Sequence, residues 1–172
     1  DMLQFFDDDF LAADDYLANA EQAFEANPDW VVLTGQVLRD GINNAGITFD
    51  EAVRALDNLS PTSATNATAR PWHGGYGCNM AIRVASIGAA RFDERLVLYG
   101  WLEDLDFTRR VGGAGGIIHH SALRGIHMGT KSGRVNGAPL GYSQVINPIY
   151  LVRKGSMTPG MALNLVGRNL LA

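Results

Sequence analysis

Three consecutive aspartates, Asp7, Asp8 and Asp9, directly follow a short apolar and aromatic run, MLQFF. Such a run is typical of a buried β-strand, and in open α/β sheets ligands bind beyond the carboxyl ends of the strands. Carboxylates held together raise each other's pKa unless a cation neutralises them, and Mg²⁺ or Mn²⁺ does so through oxygen ligands. The run therefore indicates a metal site, with helix capping by Asp8 or Asp9 as the alternative.

A second acidic group, EDLD, occupies residues 103–106 in a segment that ends in two arginines. We expect Asp106 to pair with Arg110, four residues later on a helix, which is a structural role. Glu103 and Asp104 are then left near the helix N-terminus, where the dipole should keep a carboxylate ionised, as a general base must be. The alternative is a solvated helix start whose acids merely match the dipole.

Hydrophobic periodicity and turn residues predict an alternation of strands and helices along the chain. Asp14 and Asp15 are expected in the first turn of the first helix. The alternation indicates an α/β domain with a mostly parallel sheet. The predicted elements are strands at 2–6, 30–38 and 116–120, helices at 12–27, 49–56, 100–110 and from Thr158-Pro159 onward, a Gly-rich turn at 73–77 that leads into a short apolar stretch and a helix, and a Gly-rich basic loop over 120–155.

The composition is that of a globular domain: 172 residues, 47% hydrophobic and 19% charged. The formal net charge of −4 argues against nonspecific nucleic-acid binding, which needs a basic surface. The lone Cys78 excludes an intrachain disulfide, and no apolar run reaches the roughly 18 residues that span a bilayer. A cytoplasmic setting fits these features.

Three segments, in this order and spacing, resemble the second half of an inverting family 2 glycosyltransferase of the GT-A fold: FFDDDF, GGYGCNMAIR and FDERLVLYGWLEDLDFTRRVGGAGG. The resemblance covers roughly residues 3–118. The later stretch HMGTKSGRVNGAPLGYSQVINPIYLVRKG also resembles the C-terminal part of some bacterial members. The resemblance implies that 1–155 form the metal and acceptor side of a GT-A domain. Residues 156–172 would form a C-terminal helix that could contact a membrane.

The resemblance assigns roles to the acidic cluster. Asp7 to Asp9 would be the DxD motif, in which Asp9 binds Mn²⁺ or Mg²⁺ directly and Asp7 lies near the ribose or acts through water. Asp8 would lie beside the donor phosphates. His127 would be an additional metal ligand. Lys131 and Arg134 could fold over the pyrophosphate as a lid, or belong to an ordinary surface loop.

The resemblance also assigns the chemistry. Asp104, beside Glu103, would be the general base that deprotonates an acceptor hydroxyl as it displaces a nucleoside diphosphate with inversion. The donor would be a nucleotide-diphosphate sugar, and the acceptor a carbohydrate or a lipid-linked molecule in bacterial polysaccharide or glycolipid synthesis. The residues expected to contact the sugar or the acceptor are Gly75, Gly77, Asn79 and Trp101, with the glycines allowing close backbone approach.

In this family a Rossmann-like half that binds the nucleotide precedes the DxD motif. The chain enters its first strand-like run almost at once, at Asp1-Met2. We therefore interpret the chain as the C-terminal part of a longer protein. We expect the 172 residues alone to be inactive or nearly so, with the first strand at an unpaired sheet edge.

Two other functions stay open. A Mg²⁺-dependent phosphotransferase or phosphohydrolase of the haloacid-dehalogenase kind also sets aspartates at a strand end, but it uses DxDx[TV], and Phe10-Leu11 follow here. A noncatalytic interaction domain with acidic patches leaves the paired acidic sites unexplained. Metal-dependent binding of a nucleoside diphosphate would favour the transferase, and covalent phosphorylation of an aspartate would favour the haloacid-dehalogenase kind.

Overall fold

The computed structural model describes residues 1–42, 44–113, 115–130 and 137–171. Strands and helices alternate over much of the chain, as the sequence predicts. In chain order the elements are β1 (Met2–Phe6), β2 (Phe10–Ala12), α1 (Tyr16–Ala26), β3 (Val32–Asp40), α2 (Phe49–Asp57), a 3₁₀ turn (Ala64–Asn66), β4 (Ala69–Pro71), β5 (Asn79–Arg83), α3 (Val84–Ile87), α4 (Glu103–Gly112), β6 (Ile117–His127), α5 (Gly137–Lys154) and α6 (Pro159–Leu171).

The six strands form one mixed sheet with the order β1-β5-β3-β6-β2, and β4 also pairs with β6. Only β3 and β6 are parallel neighbours in the described chain, so the α/β class is confirmed but the prediction of a mostly parallel sheet is wrong. The reason is that β5 lies antiparallel between β1 and β3, while β2 and β4 pair antiparallel with different parts of β6. β1 lies at one edge of the sheet, as expected.

This topology brings several strand ends together. β5 is antiparallel to both β1 and β3, and β6 is parallel to β3, so β1, β3 and β6 all run in the same direction. Their carboxyl ends therefore lie at the same end of the sheet. Residues that follow these three strands can meet there despite being far apart in sequence.

The predicted loop over 120–155 is wrong. The strand that starts at Ile117 continues to His127, and residues 137–154 form an 18-residue helix. The glycines in this segment have packing roles as well as turn roles. A Cβ on Gly125 would overlap the ring of Phe10, so this glycine lets β2 lie against β6. Glycine content alone therefore misled the assignment.

Each face of the sheet is covered by a helix. On one face α1 buries Tyr16, Ala20 and Phe24 against strand residues that include Leu33 and Leu123. The spacing of four residues keeps these α1 side chains on one helix face. On the other face, a second cluster packs Phe107 of α4 with residues of β3, β5 and β6. A third cluster joins α4 to α5 and α6. The buried members of this third cluster are Leu96, Leu105, Leu151, Met157 and Ala162.

The helix starts are only partly as predicted. Thr48 and Glu51 form a capping box that begins α2, and the Thr158 hydroxyl accepts the Met161 N–H at 3.3 Å at the start of α6. The first helix begins at Tyr16 rather than at residue 12, so Asp14 and Asp15 precede its first turn. Asp15 instead binds Arg124 at 3.0 Å. No helix in the described part of the chain is long and apolar enough to cross a membrane.

Candidate metal and carboxylate site

The acidic run lies where three strand ends converge. Asp7 to Asp9 connect β1 to β2, and the next residue, Phe10, pairs with His127 at the end of β6. His127 also pairs with Asp40, the last residue of the parallel strand β3. The sheet therefore brings together an aspartate run, a histidine and a further aspartate that is distant from both in sequence.

Asp7, Asp9 and His127 each offer a ligand atom, and these atoms all lie within 4.8 Å of one another. Two ligands of one divalent ion bound at roughly 2.0–2.6 Å lie at most about 5 Å apart. The three side chains therefore fit around a single cation. Asp8 is exposed beside them on the same turn.

The hydrogen bonds of His127 support this assignment. Its Nδ1 lies 3.0 Å from Oδ1 of Asp40, and because an ionised carboxylate only accepts hydrogen bonds, Nδ1 carries the hydrogen. Its Nε2 lies 3.3 Å from Oδ1 of Asp9. In the neutral imidazole these would be two facing acceptors, an arrangement that a cation between them would relieve. A histidine whose second nitrogen binds a carboxylate is the usual arrangement of a metal ligand.

Asp40 and Tyr76 form a supporting layer that the sequence analysis missed. The Tyr76 hydroxyl donates to Oδ2 of Asp40 at 3.1 Å and lies 3.3 Å from Nδ1 of His127. Burial raises the pKa of Tyr76, so its hydroxyl stays a donor. Asp40 was missed because the strand was predicted to end two residues earlier. Its position at a strand end was the available signal.

Asp9 is anchored from the far side of the site. Its Oδ2 accepts the backbone N–H of Thr130 at 2.8 Å, and its carbonyl accepts the N–H of Met128 at 2.8 Å. The next helix does not begin until Tyr16, so neither Asp8 nor Asp9 caps it. The capping interpretation of the acidic run is therefore wrong.

Electrostatics at Asp7 also favour a cation. Partial burial raises the pKa of Asp7, and the charges of Asp9 and Asp8 raise it further, whereas His127 lowers it. A divalent ion among these groups would relieve the repulsion between the carboxylates.

Asp104 lies at the start of α4 and is held by two backbone donors. Gly77 N–H bonds Oδ2 at 2.8 Å, and Leu105 N–H bonds Oδ1 at 2.7 Å. Burial nevertheless raises the pKa of Asp104, and the charge of Asp7 adds to this. The helix dipole predicted a lowered pKa for Asp104, whereas the pKa is raised. The reason is that desolvation of the carboxylate outweighs its hydrogen bonds to the backbone. A carboxylate with a raised pKa is a stronger base once ionised.

The Gly-rich turn and the residue after it contact both acidic sites, because Gly77 N–H donates to Asp104 at 2.8 Å and the Cys78 carbonyl accepts from Asp7 N–H at 3.4 Å. Asp7 contributes to the raised pKa of Asp104. It also contributes to the raised pKa of Glu103, which is raised first by partial desolvation of the carboxyl and then by the charge of Asp104. Burial raises the pKa of the Cys78 thiol, and neighbouring carboxylates including Asp7 and Asp104 raise it further. Cys78 is therefore a buried, protonated thiol between the two sites and a poor nucleophile.

The backbone just before Asp104 has an unusual conformation. Leu102, two residues before it, has a left-handed φ of +74°. Such values are uncommon outside glycine and concentrate at functional sites. The conformation ends the preceding loop and starts α4 at Glu103.

The glycines of the turn contact α4. Gly75 N–H donates to the Thr108 hydroxyl at 2.9 Å, and a Cβ on Gly75 would lie 2.7 Å from Thr108 Cγ2. A Cβ on Gly74 would lie 3.1 Å from Cγ of Leu105. In the structure Gly75 and Gly77 therefore bring the backbone close to the helix that carries Asp104. Close approach to a sugar remains a prediction.

The remaining predicted residues are less directly placed. Asn79 is fully buried, and its Oδ1 accepts from the Thr34 hydroxyl at 3.0 Å and from Gly35 N–H at 3.3 Å, so its side-chain oxygen is bonded inside the sheet. The contact of Asn79 with a sugar stays a prediction. Trp101 is partly buried, and its carbonyl accepts from Asn147 at 2.9 Å. Lys131 and Arg134 lie outside the described residues.

The site thus joins a three-ligand cluster, a supporting Asp40–Tyr76 pair and the partly buried carboxylate of Asp104, which is held by the Gly-rich turn. Comparisons of the chain with family models, with curated proteins and with solved structures found no match. The chemistry of these side chains is therefore the basis for assigning a function.

Proposed function

We propose that the chain is the metal-binding and catalytic side of a glycosyltransferase that uses a nucleotide-diphosphate sugar. The observation that carries the proposal is the convergence of two sites. One is the cluster of Asp7, Asp9 and His127, and the other is the partly buried Asp104, whose pKa is raised in part by Asp7. In transfer from a diphosphate donor to a hydroxyl, a metal stabilises the leaving group and a general base activates the attacking hydroxyl.

Asp9 and His127 would hold a divalent cation, with Asp7 as a third ligand or as a partner through water. When bound, the cation neutralises charge on the diphosphate leaving group. The mixed set of carboxylate and imidazole ligands favours Mn²⁺ over Mg²⁺, which keeps to oxygen ligands and several waters. Asp8 is exposed next to the cluster and would face the donor phosphates.

Asp104 would act on the acceptor. The N–H groups of Gly77 and Leu105 fix the orientation of its carboxylate, and each oxygen keeps a second lone pair for a substrate hydroxyl. The acceptor oxygen forms a bond to the anomeric carbon as the bond from that carbon to the diphosphate breaks. The hydroxyl proton passes to Asp104. One displacement inverts the anomeric carbon without a covalent enzyme intermediate.

Asp9→Asn is expected to abolish a Mn²⁺-dependent rise in melting temperature. A ligand that binds only the native state stabilises it by mass action. The measurement is a thermal shift on the full-length polypeptide that carries residues 1–172, titrated with UDP, GDP and dTDP with and without Mn²⁺. The matched control is Asp57→Asn, an exposed aspartate at the end of α2.

A Mn²⁺-dependent shift with one nucleotide, lost in Asp9→Asn and kept in the control, would support the proposal and identify the base. The absence of a shift with every nucleotide would contradict it. A phosphorylated aspartate after incubation with a phosphate donor would favour a phosphotransferase instead.

Asp40→Ala is expected to weaken Mn²⁺ binding by roughly 10–100-fold, the usual effect of removing a group that orients a metal-bound histidine. Asp40→Asn keeps an acceptor for the His127 Nδ1–H and should lose less. Free Mn²⁺ counted by electron paramagnetic resonance gives the affinity. Asp57→Ala is the control. Unchanged affinity in Asp40→Ala would mean that Asp40 does not orient His127 for metal binding.

A further inference from the structure

A pocket of about 560 Å³ lies beside the C-terminal end of α4. Its walls come from the start of the Gly-rich turn, the last turn of α4, the start of β6 and the segment that joins α5 to α6. The volume falls in the range of small-molecule sites. The lining side chains that bear on its chemistry are those of Trp72, His73, Arg109, Arg110 and Lys154.

Arg109 is the cation of this pocket that has no carboxylate partner among the described residues. Its Nε and Nη1 donate to the backbone carbonyls of His73 and Ser156, at 2.6 Å and 2.9 Å. A guanidinium has five N–H donors, so these two bonds leave three of them for a ligand. The two carbonyls also fix the side chain at the pocket wall before any ligand binds, which lowers the entropic cost of binding.

The charges around the pocket do not balance. An ion-pair network beside it consists of Asp93, Arg95, Asp106, Arg110 and Lys154. With Arg109 this makes four cations and two carboxylates, a surplus of two positive charges. None of the described residues that line the pocket is acidic. A phosphate monoester carries about −1.5 to −2 charges at pH 7, which matches this surplus.

Cations in the last turn of a helix often only match the helix dipole. Arg110 in α4 and Lys154 in α5 fit that explanation as well as the binding of a ligand. Arg109 does not, because the carbonyls that it binds belong to the Gly-rich turn and to the residue two positions after α5. The dipole of α4 therefore does not account for the position of its guanidinium.

Two aromatic side chains add ring surface to the pocket. The rings of Trp72 and His73 have centroids 4.7 Å apart. Burial lowers the pKa of His73 and the charge of Arg109 lowers it further, so this imidazole is neutral at pH 7. A bare phosphate would leave most of the pocket unfilled, and the two rings offer contact area for the rest of a larger ligand.

The pocket is separate from the metal cluster. Asp7, Asp9 and His127 are not among the residues that line it. Arg109 comes five residues after Asp104 on α4, which is about 7.5 Å along the helix axis. An anion in this pocket is therefore held without the metal ligands.

We propose that this pocket binds the phosphate monoester of a small ring-containing molecule, without a metal ion. Arg109 binds the phosphate oxygens through its remaining N–H groups, since a guanidinium fits two oxygens of a phosphate at once. Arg110 and Lys154 neutralise the remaining charge, and Trp72 and His73 contact the ring. This inference does not depend on the proposed glycosyl transfer.

The test is isothermal titration calorimetry of the full-length polypeptide with phenyl phosphate in the presence of EDTA. Because EDTA removes divalent ions, metal-dependent binding at the acidic cluster does not contribute. We expect saturable binding to a single site, weaker binding of benzoate and none of phenol. Arg109→Gln should weaken the binding of phenyl phosphate by roughly 10–100-fold. Arg109→Lys should lose less, because the ammonium keeps the charge but not the paired N–H groups.

A second pair of variants keeps the test informative if Arg109→Gln lowers the melting temperature. The side chain of His73 is exposed and makes no hydrogen bond among the described residues, whereas Arg109 binds its backbone carbonyl. His73→Glu places a carboxylate beside Arg109 and should abolish binding, and His73→Gln should bind like the unchanged protein. The charge-matched control is Arg54→Gln, at an exposed position on α2.

Three results would overturn the inference. The first is the absence of phenyl phosphate binding in EDTA, or equal affinity for benzoate. The second is unchanged affinity in a folded Arg109→Gln variant or in His73→Glu. The third is an equal loss in Arg54→Gln, which would assign the binding to the overall charge of the protein rather than to this pocket.

Discussion

Asp106→Ala is expected to lower the free energy of unfolding by about 3–5 kcal/mol, the usual effect of removing one partner from a buried ionic network. Asp106 is fully buried. Its Oδ2 accepts from Arg110 at 3.0 Å and from Lys154 at 2.7 Å, and its Oδ1 accepts from the Ser156 hydroxyl at 2.6 Å. The substitution leaves all three donors without this acceptor and opens space in the packing.

Denaturant unfolding measures the loss of stability in Asp106→Ala and in the control variant Asp57→Ala. Asp57 is exposed, so its replacement should change stability by no more than about 0.5 kcal/mol. The second variant of interest is Lys154→Met, alone and with Asp106→Ala. Strong coupling between the two changes would assign the loss to the network. A loss below about 1 kcal/mol in Asp106→Ala would mean that the network does not hold α4 in place.

Asp104→Asn is expected to lower the turnover rate of sugar transfer by roughly 10²–10⁴-fold, the contribution of a positioned general base. The amide cannot accept the proton of the acceptor hydroxyl. Mn²⁺ affinity should change little, since Asp104 is not among the three clustered ligands. Steady-state transfer kinetics with the full-length polypeptide and Mn²⁺ titration measure the two effects separately.

The pH profile gives a further check on Asp104. Burial raises the pKa of this carboxyl, so protonation should stop the reaction at a higher pH than for an ordinary aspartate. The rate should therefore fall as the pH is lowered through this raised pKa, and this limb should disappear in Asp104→Asn. Asp57→Asn is the control, because Asp57 is exposed at the end of α2. Full activity in Asp104→Asn would remove Asp104 from the mechanism.

The local features of the sequence predicted their structures well. Asp106 and Arg110 pair because residues four apart are neighbours on any helix. The capped start of α6 follows from a threonine and a proline in adjacent positions. The strand before Asp7 ends where its apolar run ends. Each of these depends on a few adjacent residues, so a single segment was sufficient to predict it.

The pairing of strands could not be predicted in the same way. Nothing in the residues of β5 indicates that it lies antiparallel between β1 and β3, because pairing depends on contacts between distant segments. Asp40 was missed because its strand was predicted to end two residues earlier and because its partner is distant in the sequence. It is an ordinary strand-end aspartate until the sheet brings His127 to 3.0 Å from it. Glycine residues likewise did not distinguish a loop from a strand. Gly125 lies in β6, where the absence of a side chain allows close packing against Phe10.

Asp9 is bonded to Thr130, 121 residues later in the chain. Bringing such distant residues together has a loop-closure entropy cost, which is offset by folding of the sheet rather than by metal binding. The three ligands therefore meet only once the sheet has formed. A metal bound there would tie distant parts of the sequence together in the native state alone. Unfolding would then have to release the ion, and Mn²⁺ should slow unfolding more than it speeds folding.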